Sequence, residues 1–233
     1  MIHAIFFDFN GVIIDDEALQ LKAYQEVLGA QGINLTEEHY YAAMGMDDKA
    51  FVRAAFERAA RTLTDQTMQS VIEGKSEIHR RLIEADLPLF PGVVTFLKAS
   101  SRRYQLGLVS MARRMEIDYV LAHARLNTLF KAIVSAEDVS NCKPDPECYN
   151  LGLEKLNSAR RADGQLPLSP EACLAIEDAP AGIEAARRSG MRTMGLANTV
   201  PGAALRLAGA GVVSKGLADW NPDAVGLVFD NGR

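Results

Sequence analysis

The feature of this sequence that most constrains its fold is an alternation of short apolar runs with longer stretches of helical spacing. Six runs have the length and composition of buried strands: "HAIFF", "QLGLVS", "KAIVSA", "CLAIED", "RTMGL" and "AGVVS". Strands that alternate with helical segments are typical of β-α-β units, which build a mostly parallel sheet. The sequence therefore predicts an α/β protein built on a mostly parallel sheet.

Polar residues follow four of these runs, at the point where each strand is expected to end. In an open parallel sheet, ligands bind in a crevice outside the carboxyl ends of the strands. We therefore expect the strand-end side chains to meet in one crevice. They are, in chain order, Asp8, Ser110, Ser135 or Glu137, and the pair Glu177 and Asp178.

A long region without strand-like runs separates the first run from the second. Between Glu17 and Asp86 the apolar residues recur at helical spacing, and Thr36 and Asp47 stand where helix caps are expected. Four helices inserted here would form a small bundle, and "LPLFPG" marks the return to the core. The sequence predicts a core of residues 1–16 and 87–233 and a helical cap of residues 17–86.

The net charge, the apolar segments and the cysteines limit which partners and which cellular compartment are expected. The net charge of -5 argues against nucleic acid and against an anionic membrane as the main partner. No apolar segment reaches the ~20 residues that span a bilayer, and the N-terminus lacks the pattern of a signal peptide. The three cysteines have no CxxC spacing, which favours neither a disulfide framework nor a zinc site. We expect a cytoplasmic protein.

The strand-end residues are of the types that phosphoryl transfer requires. A carboxylate can attack phosphorus and form an aspartyl-phosphate, but two anions repel each other, so a divalent cation and further positive charge are needed. Mg²⁺ typically binds one or two carboxylates together with substrate phosphate and water, and Asp8 and Asp178 are candidates for that pair. Lys143, in "NCKPDPE", is a candidate for holding the phosphate. Ser110 can donate its hydroxyl and the N–H groups of a following helix start to phosphate oxygens.

Four segments together resemble the motifs of the haloacid dehalogenase superfamily, in particular its branch of β-phosphoglucomutase-like and phosphoglycolate-phosphatase-like members. "DFNGVIIDDE" resembles the first motif, Asp-x-Asp-Gly-(Val/Thr), except at Asn10, and "LGLVSMARR" resembles the second at Ser110. "SAEDVSNCKPDPECY" resembles the third at Lys143, and "CLAIEDAPAGIEAARRSGM" resembles the fourth at Glu177 and Asp178. The resemblance implies a Rossmann-like core and a helical cap that closes over the strand ends.

The resemblance also implies a role for each acidic position and for Asn10. Asp8 is expected to be the nucleophile and a Mg²⁺ ligand. Position 10 is expected to give its backbone carbonyl to the metal, which Asn10 can do as well as an aspartate. Asp178 is expected to be the second metal carboxylate. Glu177 is expected to be a ligand or a support of the metal site, and a purely structural role for it is the alternative.

The phosphate holders that the resemblance implies are Ser110 and Lys143. In this branch a basic residue of the cap grips the distal phosphate of the substrate, and Lys49, in "GMDDKAF", is the expected counterpart. Sugar-phosphate mutases of the branch carry a histidine on the first cap helix, where this chain has Gln20. Mutase activity is therefore not expected.

The departure at Asn10 bears directly on catalysis. In the family, the acid at this position protonates the leaving oxygen and later deprotonates the attacking water, and an amide does neither. General acid–base catalysis is worth about 10²–10⁴-fold in rate, so reduced activity on poor leaving groups is expected. The neighbouring acids Asp15, Asp16 and Glu17 are interpreted as helix N-terminal residues favoured by the helix dipole rather than as proton donors.

Three explanations of Asn10 stay open. The chain is a natural variant that acts on good leaving groups or borrows another acid, or it carries a substitution introduced to trap a complex, or it binds ligand without turnover. We favour the first. The expected function is Mg²⁺-dependent hydrolysis of a small phosphorylated metabolite through an aspartyl-phosphate at Asp8. A weakened phosphometabolite-binding or regulatory protein is the alternative, and a carbon–halogen hydrolase is disfavoured because it does not need a metal carboxylate at Asp178.

Overall fold

All six apolar runs form strands of a single sheet. The strands are β1 (Ala4–Phe7), β2 (Gln105–Val109), β3 (Phe130–Val134), β4 (Cys173–Glu177), β5 (Arg192–Leu196) and β6 (Val212–Ser214). In this computed structural model, which describes residues 1–84 and 86–230, they lie in the order β3-β2-β1-β4-β5-β6. Every neighbouring pair is parallel. The prediction of an α/β fold with a Rossmann-like parallel sheet is confirmed.

The helices fall into two groups along the chain. Four lie between the first two strands, namely α1 (Glu17–Ala30), α2 (Glu37–Tyr41), α3 (Asp48–Arg58) and α4 (Asp65–Glu84). The others are α5 (Val93–Ser100), α6 (Arg114–His123), α7 (Glu147–Ala162), α8 (Pro180–Arg188), α9 (Gly202–Leu207) and α10 (Pro222–Asp230). Across the described ranges, no helix combines the length and the apolar character that crossing a membrane requires.

Strand β1 is buried on both faces, which explains its uninterrupted apolar sequence. Because side chains alternate along a strand, Ile5 and Phe7 belong to the apolar cluster on one face of the sheet, where α5 and α6 pack. Ala4 and Phe6 belong to the cluster on the other face, where Tyr149 of α7 packs. The central strand that carries Asp8 is therefore held from both sides.

The helices α1 to α4 surround an apolar cluster of their own, which includes Leu28, Tyr40, Phe51 and Phe56. This separate core supports the expected division into a core of residues 1–16 and 87–233 and a cap of residues 17–86, which stays a prediction. Ala85 of that cap and residues 231–233 of that core lie outside the described residues.

The predicted caps begin the second and third of these helices. The N–H of His39 donates to Thr36 Oγ1 at 3.2 Å, and the N–H of Ala50 donates to Asp47 Oδ1 at 2.7 Å. Helix α2, however, ends at Tyr41 rather than continuing to Gly45. Beyond Ala42 the N–H groups of Ala43, Met44 and Met46 each bond to the carbonyl three residues back, which is the pattern of tighter turns and not of an α-helix.

The register of the sheet brings the strand-end residues together. Phe7 pairs with Leu108 of β2 on one side and with Ile176 of β4 on the other. Asp8 follows directly, and its N–H donates to the Ile176 carbonyl at 3.0 Å. The end of β1 therefore lies between the ends of β2 and β4.

Candidate active site

Three carboxylates converge where β1 and β4 end. Asp8, Glu177 and Asp178 each offer an oxygen, and these oxygens all lie within 4.8 Å of one another. Glu177 and Asp178 are buried, whereas 14% of the Asp8 side chain is exposed. Three of the strand-end acids that the sequence singled out are thus in one place, and Asp8 is the one among them that a ligand can reach most easily, whereas Glu137 is exposed and accepts from the Arg114 N–H instead.

Lys143 supplies a positive charge inside this cluster. Its Nζ lies 3.0 Å from Asp8 Oδ1, 2.7 Å from Glu177 Oε1 and 3.2 Å from the Val109 carbonyl. Burial alone would lower the pKa of Lys143, but the charges of Asp8 and Glu177 outweigh it and raise the pKa above its usual range. Lys143 is therefore a permanent cation beside the carboxylate of Asp8.

One lysine does not balance three acids. Burial, followed by the charge of Asp8, raises the pKa of Glu177 to about 8, although Lys143 and Tyr149 act in the opposite direction. Burial and the charges of Asp8, Glu17 and Glu177 also raise the pKa of Asp178. The cluster consequently holds either extra protons or an additional cation.

The donor set fits Mg²⁺, which prefers hard oxygen ligands. Glu177 Oε1 accepts hydrogen bonds from Lys143 and from the Tyr149 hydroxyl, but its buried Oε2 has no partner among the described residues. A buried carboxylate oxygen without a partner is costly unless a cation or a proton satisfies it. Asp178 is oriented by a hydrogen bond from the Thr199 hydroxyl.

Two glycines allow the backbone to approach these acids closely. A Cβ on Gly11 would lie 1.9 Å from Asp178 Oδ2, and the residue has φ +73°, which disfavours any other side chain. A Cβ on Gly182, in the first turns of α8, would lie 2.1 Å from Glu177 Oε2. Both glycines of the matching motifs are therefore explained by packing against the acids.

Ser110 faces the same cavity from the end of β2. Its Oγ accepts a hydrogen bond from the Ala112 N–H at 3.0 Å, so the hydroxyl hydrogen stays available to a ligand oxygen. The helix start expected beside it lies farther on, because α6 begins at Arg114 and the Arg114 N–H donates to Glu137. Ser110 therefore offers its hydroxyl to the site, but the helix-start donors expected with it are not beside it.

The side-chain amide of Asn10 is hydrogen-bonded to a buried acid. Its Nδ2 lies 2.9 Å from each oxygen of Asp16, whose side chain is 0% exposed. Asp16 Oδ2 also accepts from Gln20 Nε2 at 3.0 Å and lies 2.7 Å from His79 Nε2. The amide is thereby committed to Asp16 through its nitrogen, which leaves Oδ1 as the Asn10 side-chain atom for the cavity.

The interpretation of Asp16 as a helix N-terminal acid is correct only in position. Asp16 precedes α1, but its side chain makes no capping hydrogen bond to that helix. Its partner His79 lies 63 residues away on α4. Only the tertiary fold brings the two together, and the local sequence offers no signal for the pair except an unusual acid before Glu17.

The helices α1 to α4, which form the predicted cap, contribute polar groups to the site. A cavity of about 110 Å³ extends from Asp8 towards the cap, where its lining includes Tyr24, Tyr40, Asp48 and Lys75. Tyr24 donates to Asp48 Oδ1 at 2.5 Å, and Lys75 Nζ lies 3.2 Å from the same oxygen. The cap therefore presents hydroxyl and charged groups to whatever occupies the cavity.

Lys75 also joins the cap to the core. Its Nζ lies 3.1 Å from Oε1 of Glu116 on α6, and the Ser76 hydroxyl donates to the same oxygen at 3.0 Å. Burial would lower the pKa of Lys75, but the charges of Glu116 and Asp48 outweigh it and raise the pKa. These contacts link α4 to α6 beside the cavity.

The predicted substrate residue Lys49 is exposed and is absent from the described lining of the cavity. Its role in substrate binding stays a prediction without support from this geometry. Lys75 is the cap lysine that reaches the cavity. It lies in an amphipathic helix without a recognisable motif, so no local signal distinguishes it from other helix lysines.

Comparisons with known proteins agree with this geometry. The sequence profile of the haloacid dehalogenase-like hydrolases matches residues 5–196. A phosphorylated carbohydrates phosphatase from Thermotoga maritima is 30% identical over 211 residues, which are 89% of this chain and 91% of that protein. The fructose-1-phosphate phosphatase YqaB of Escherichia coli is 27% identical over 187 residues, which are 80% of this chain and 92% of that protein.

Among solved structures, a β-phosphoglucomutase from Clostridium difficile has the same fold. It superimposes with a TM-score of 0.83 at 23% identity, covering 99% of this chain and 98% of that chain. The matched range contains Asp8, Glu177 and Asp178 as well as Ser110 and Lys143. From the fold, the site and these matches, we conclude that the chain belongs to the haloacid dehalogenase-like hydrolase family.

Proposed function

We propose that this hydrolase is a Mg²⁺-dependent phosphatase of a small phosphorylated metabolite, and that it works through an aspartyl-phosphate at Asp8. The observation that carries the proposal is the position of Asp8. Its carboxylate is the accessible member of a buried acid cluster, and it lies 3.0 Å from the Lys143 ammonium group at the floor of the cavity. A carboxylate so placed can attack a phosphoryl group whose charge is neutralised beside it.

In the first step, different residues would bind the metal, orient the phosphate and attack the phosphorus atom. Asp8, Asp178 and the backbone carbonyl of Asn10 would hold Mg²⁺, with Glu177 as a further ligand or support. When bound, the ion supplies the positive charge that lets a phosphate approach the acid cluster. Lys143 and Ser110 would orient the phosphate by donating hydrogen bonds to its oxygens, and Asp8 would attack the phosphorus atom.

The cap end of the cavity favours the monophosphate of a polyhydroxylated compound. Among the lining residues in the described part of the chain, the cations are Lys75 and Lys143. Lys75 is already matched by Asp48 and Glu116, so a second phosphate would meet no free positive charge. Hydroxyl groups, in contrast, can donate to these carboxylates. The relatives named for phosphorylated carbohydrates and fructose-1-phosphate support this choice.

Phosphate release from a panel of phosphorylated metabolites, with Mg²⁺ and with excess chelator, tests the proposal. Wild-type protein should release phosphate from a hexose monophosphate only with Mg²⁺, and Asp8→Asn should abolish the release. Asp163→Asn, a change of an exposed acid at the end of α7, is the matched control and should behave as wild type. Full activity in chelator, or in the Asp8→Asn protein, would contradict the proposal.

A second candidate function is binding of a phosphorylated metabolite without turnover. The observation that favours it is Asn10, whose amide is tied to Asp16 and cannot move a proton. Titration calorimetry with Mg²⁺ and a hexose monophosphate separates the two candidates. Tight binding without phosphate release over many hours would favour the binding protein.

The compartment that we propose is the cytoplasm. All three cysteines, Cys142, Cys148 and Cys173, are free thiols in the structure. Burial, the largest influence, raises the pKa of each of them, so none is an activated thiolate. Free, unreactive thiols suit a reducing compartment.

A further inference from the structure

The site described above lacks a proton donor at its expected place. Asn10 cannot transfer protons, and apart from the nucleophile Asp8 the two acids nearest to it along the chain that are not exposed are Asp16 and Glu17. Asp16 is fully buried and is absent from the described lining of the cavity. Both of its oxygens already accept hydrogen bonds from Asn10. Asp16 therefore positions Asn10 but does not reach a substrate.

The side chain of Glu17, unlike that of Asp16, faces the cavity. It is the first residue of α1, it is half-buried, and it lines the cavity together with Asp8 and Asn10. The hydroxyl of Tyr40 donates to Glu17 Oε2 at 2.7 Å. That hydrogen bond fixes the side chain and leaves Oε1 as the oxygen that can exchange a proton with a ligand.

The surroundings of Glu17 suit a general acid and base. Burial, followed by the charges of Asp16 and Asp8, raises its pKa to about 7, although the Tyr40 hydrogen bond and the Lys75 charge act in the opposite direction. The charge of Glu17 in turn raises the pKa of Asp178, as expected of a group that faces the acid cluster. A group whose pKa lies near the working pH is the most effective general acid and base.

We propose that Glu17 is the catalytic acid and base of this site, in place of the residue that Asn10 replaces. The proposal rests on the phosphatase function proposed above. In the first step Asp8 attacks phosphorus, the bond from phosphorus to the leaving oxygen breaks, and the Glu17 carboxyl gives its proton to that oxygen. In the second step the Glu17 carboxylate takes a proton from water, the water oxygen attacks phosphorus, and the bond to Asp8 breaks. Phosphate, Asp8 and protonated Glu17 are then restored.

The test compares Glu17→Gln with Asp15→Asn on two substrates in the presence of Mg²⁺. Gln keeps an oxygen for the Tyr40 hydroxyl but has no proton to give, and Asp15 is an exposed acid two residues away. The first substrate is a hexose monophosphate with an alkyl leaving group, and the second is 4-nitrophenyl phosphate, whose leaving group departs without protonation. Glu17→Gln should lower kcat/KM on the hexose monophosphate about 10²–10⁴-fold and on the aryl ester by less than about tenfold. Asp15→Asn should leave both unchanged.

Two further readouts separate catalysis from a structural role. With the aryl ester, Glu17→Gln should release one nitrophenol per site in a burst and then turn over slowly, because the second step still needs a base. For the wild type, kcat/KM on the hexose monophosphate should fall as pH rises through about 7, where Glu17 loses its proton. Tyr40→Phe removes a hydrogen bond that lowers the pKa of Glu17, so it should move this fall to higher pH.

The outcomes distinguish this proposal from the phosphatase function itself. A wild type that hydrolyses neither substrate would overturn both. A wild type that hydrolyses the aryl ester but not the hexose monophosphate would overturn the role of Glu17 alone. Equal losses on both substrates in Glu17→Gln would do the same. If Glu17→Gln does not fold, an unchanged pH profile in Tyr40→Phe would overturn it.

Discussion

Replacing Asn10 by aspartate would restore the motif of the family, yet the structure predicts that this change destabilises the protein. Asn10 Nδ2 donates to both oxygens of Asp16 at 2.9 Å, and the Asp16 side chain is 0% exposed. A carboxylate at position 10 would face another carboxylate at hydrogen-bonding distance, away from water. The two groups cannot both stay ionised without strong repulsion.

The pair of carboxylates can either stay ionised and repel or keep one proton, and the response that costs less free energy sets the size of the destabilisation. Two unit charges of like sign about 4 Å apart repel by about 4 kcal/mol at an effective dielectric constant near 20, and more at a shorter distance. Alternatively the pair keeps one proton, and holding a proton at pH 7 on a carboxyl with an ordinary pKa near 4 costs about 4 kcal/mol. A shared proton then replaces part of the lost hydrogen bonding. We expect a loss of about 3–5 kcal/mol in the free energy of unfolding near neutral pH.

The loss should depend on pH in a definite direction. The new pair has one pKa raised above its value in the unfolded chain, so the penalty is absent below about pH 4 and grows as pH rises through the raised pKa. Near pH 5 the loss should be about 1–2 kcal/mol.

Urea unfolding near pH 5 and near pH 7.5 measures this effect, with Asn10→Asp/Asp16→Asn as the matched control. In the double variant the amide at position 16 can donate to the carboxylate at position 10, while its oxygen still accepts from Gln20 and His79. The double variant should regain most of the stability. An Asn10→Asp protein as stable as wild type at pH 7.5 would refute the reasoning, and so would a double variant no more stable than the single one.

Three further predictions concern the metal, the phosphate and the cap. Mg²⁺ should raise the unfolding temperature more at pH 8 than at pH 5.5. The pKa of Glu177 is raised to about 8, so at pH 5.5 the ion must displace protons in order to bind. Asp178→Asn should remove the effect in calorimetry. Lys143→Ala should weaken inorganic phosphate binding at least tenfold in titration calorimetry, whereas Arg161→Ala, a change at the exposed end of α7, should not. Glu116→Gln should raise KM for a hexose monophosphate severalfold, because it weakens the contact with Lys75 that joins the cap to the core.

The features that could be predicted from the sequence are those that strand ends and local motifs determine. The six strands and the placement of Asp8 beside Asp178 follow from apolar runs that end at polar residues in a parallel sheet, and the approach of Lys143 to them was expected from the motif that contains it. The caps at Thr36 and Asp47 were equally local signals. Such features could be found because each depends on a short stretch of chain and on one rule of sheet geometry.

What the sequence could not predict depends on how the cap sits on the core. The contact of Asp16 with His79 and that of Lys75 with Glu116 each join residues far apart in the chain, on helices without motifs. Lys49 is the expected counterpart of the family's basic cap residue, whereas the orientation of α3 leaves its side chain exposed. Side-chain direction on an inserted helix is set by tertiary packing, which helical periodicity alone does not specify.

Capture of phosphate on the protein itself would reveal the aspartyl-phosphate at Asp8. Wild-type protein is mixed with a radiolabelled hexose monophosphate and Mg²⁺, quenched in acid within the first turnovers, and digested for peptide mapping. We predict hydroxylamine-labile label on the peptide that contains Asp8, and no label in excess chelator or in the Asp8→Asn protein. Turnover at the wild-type rate in Asp8→Asn, or label confined to another residue, would contradict the account.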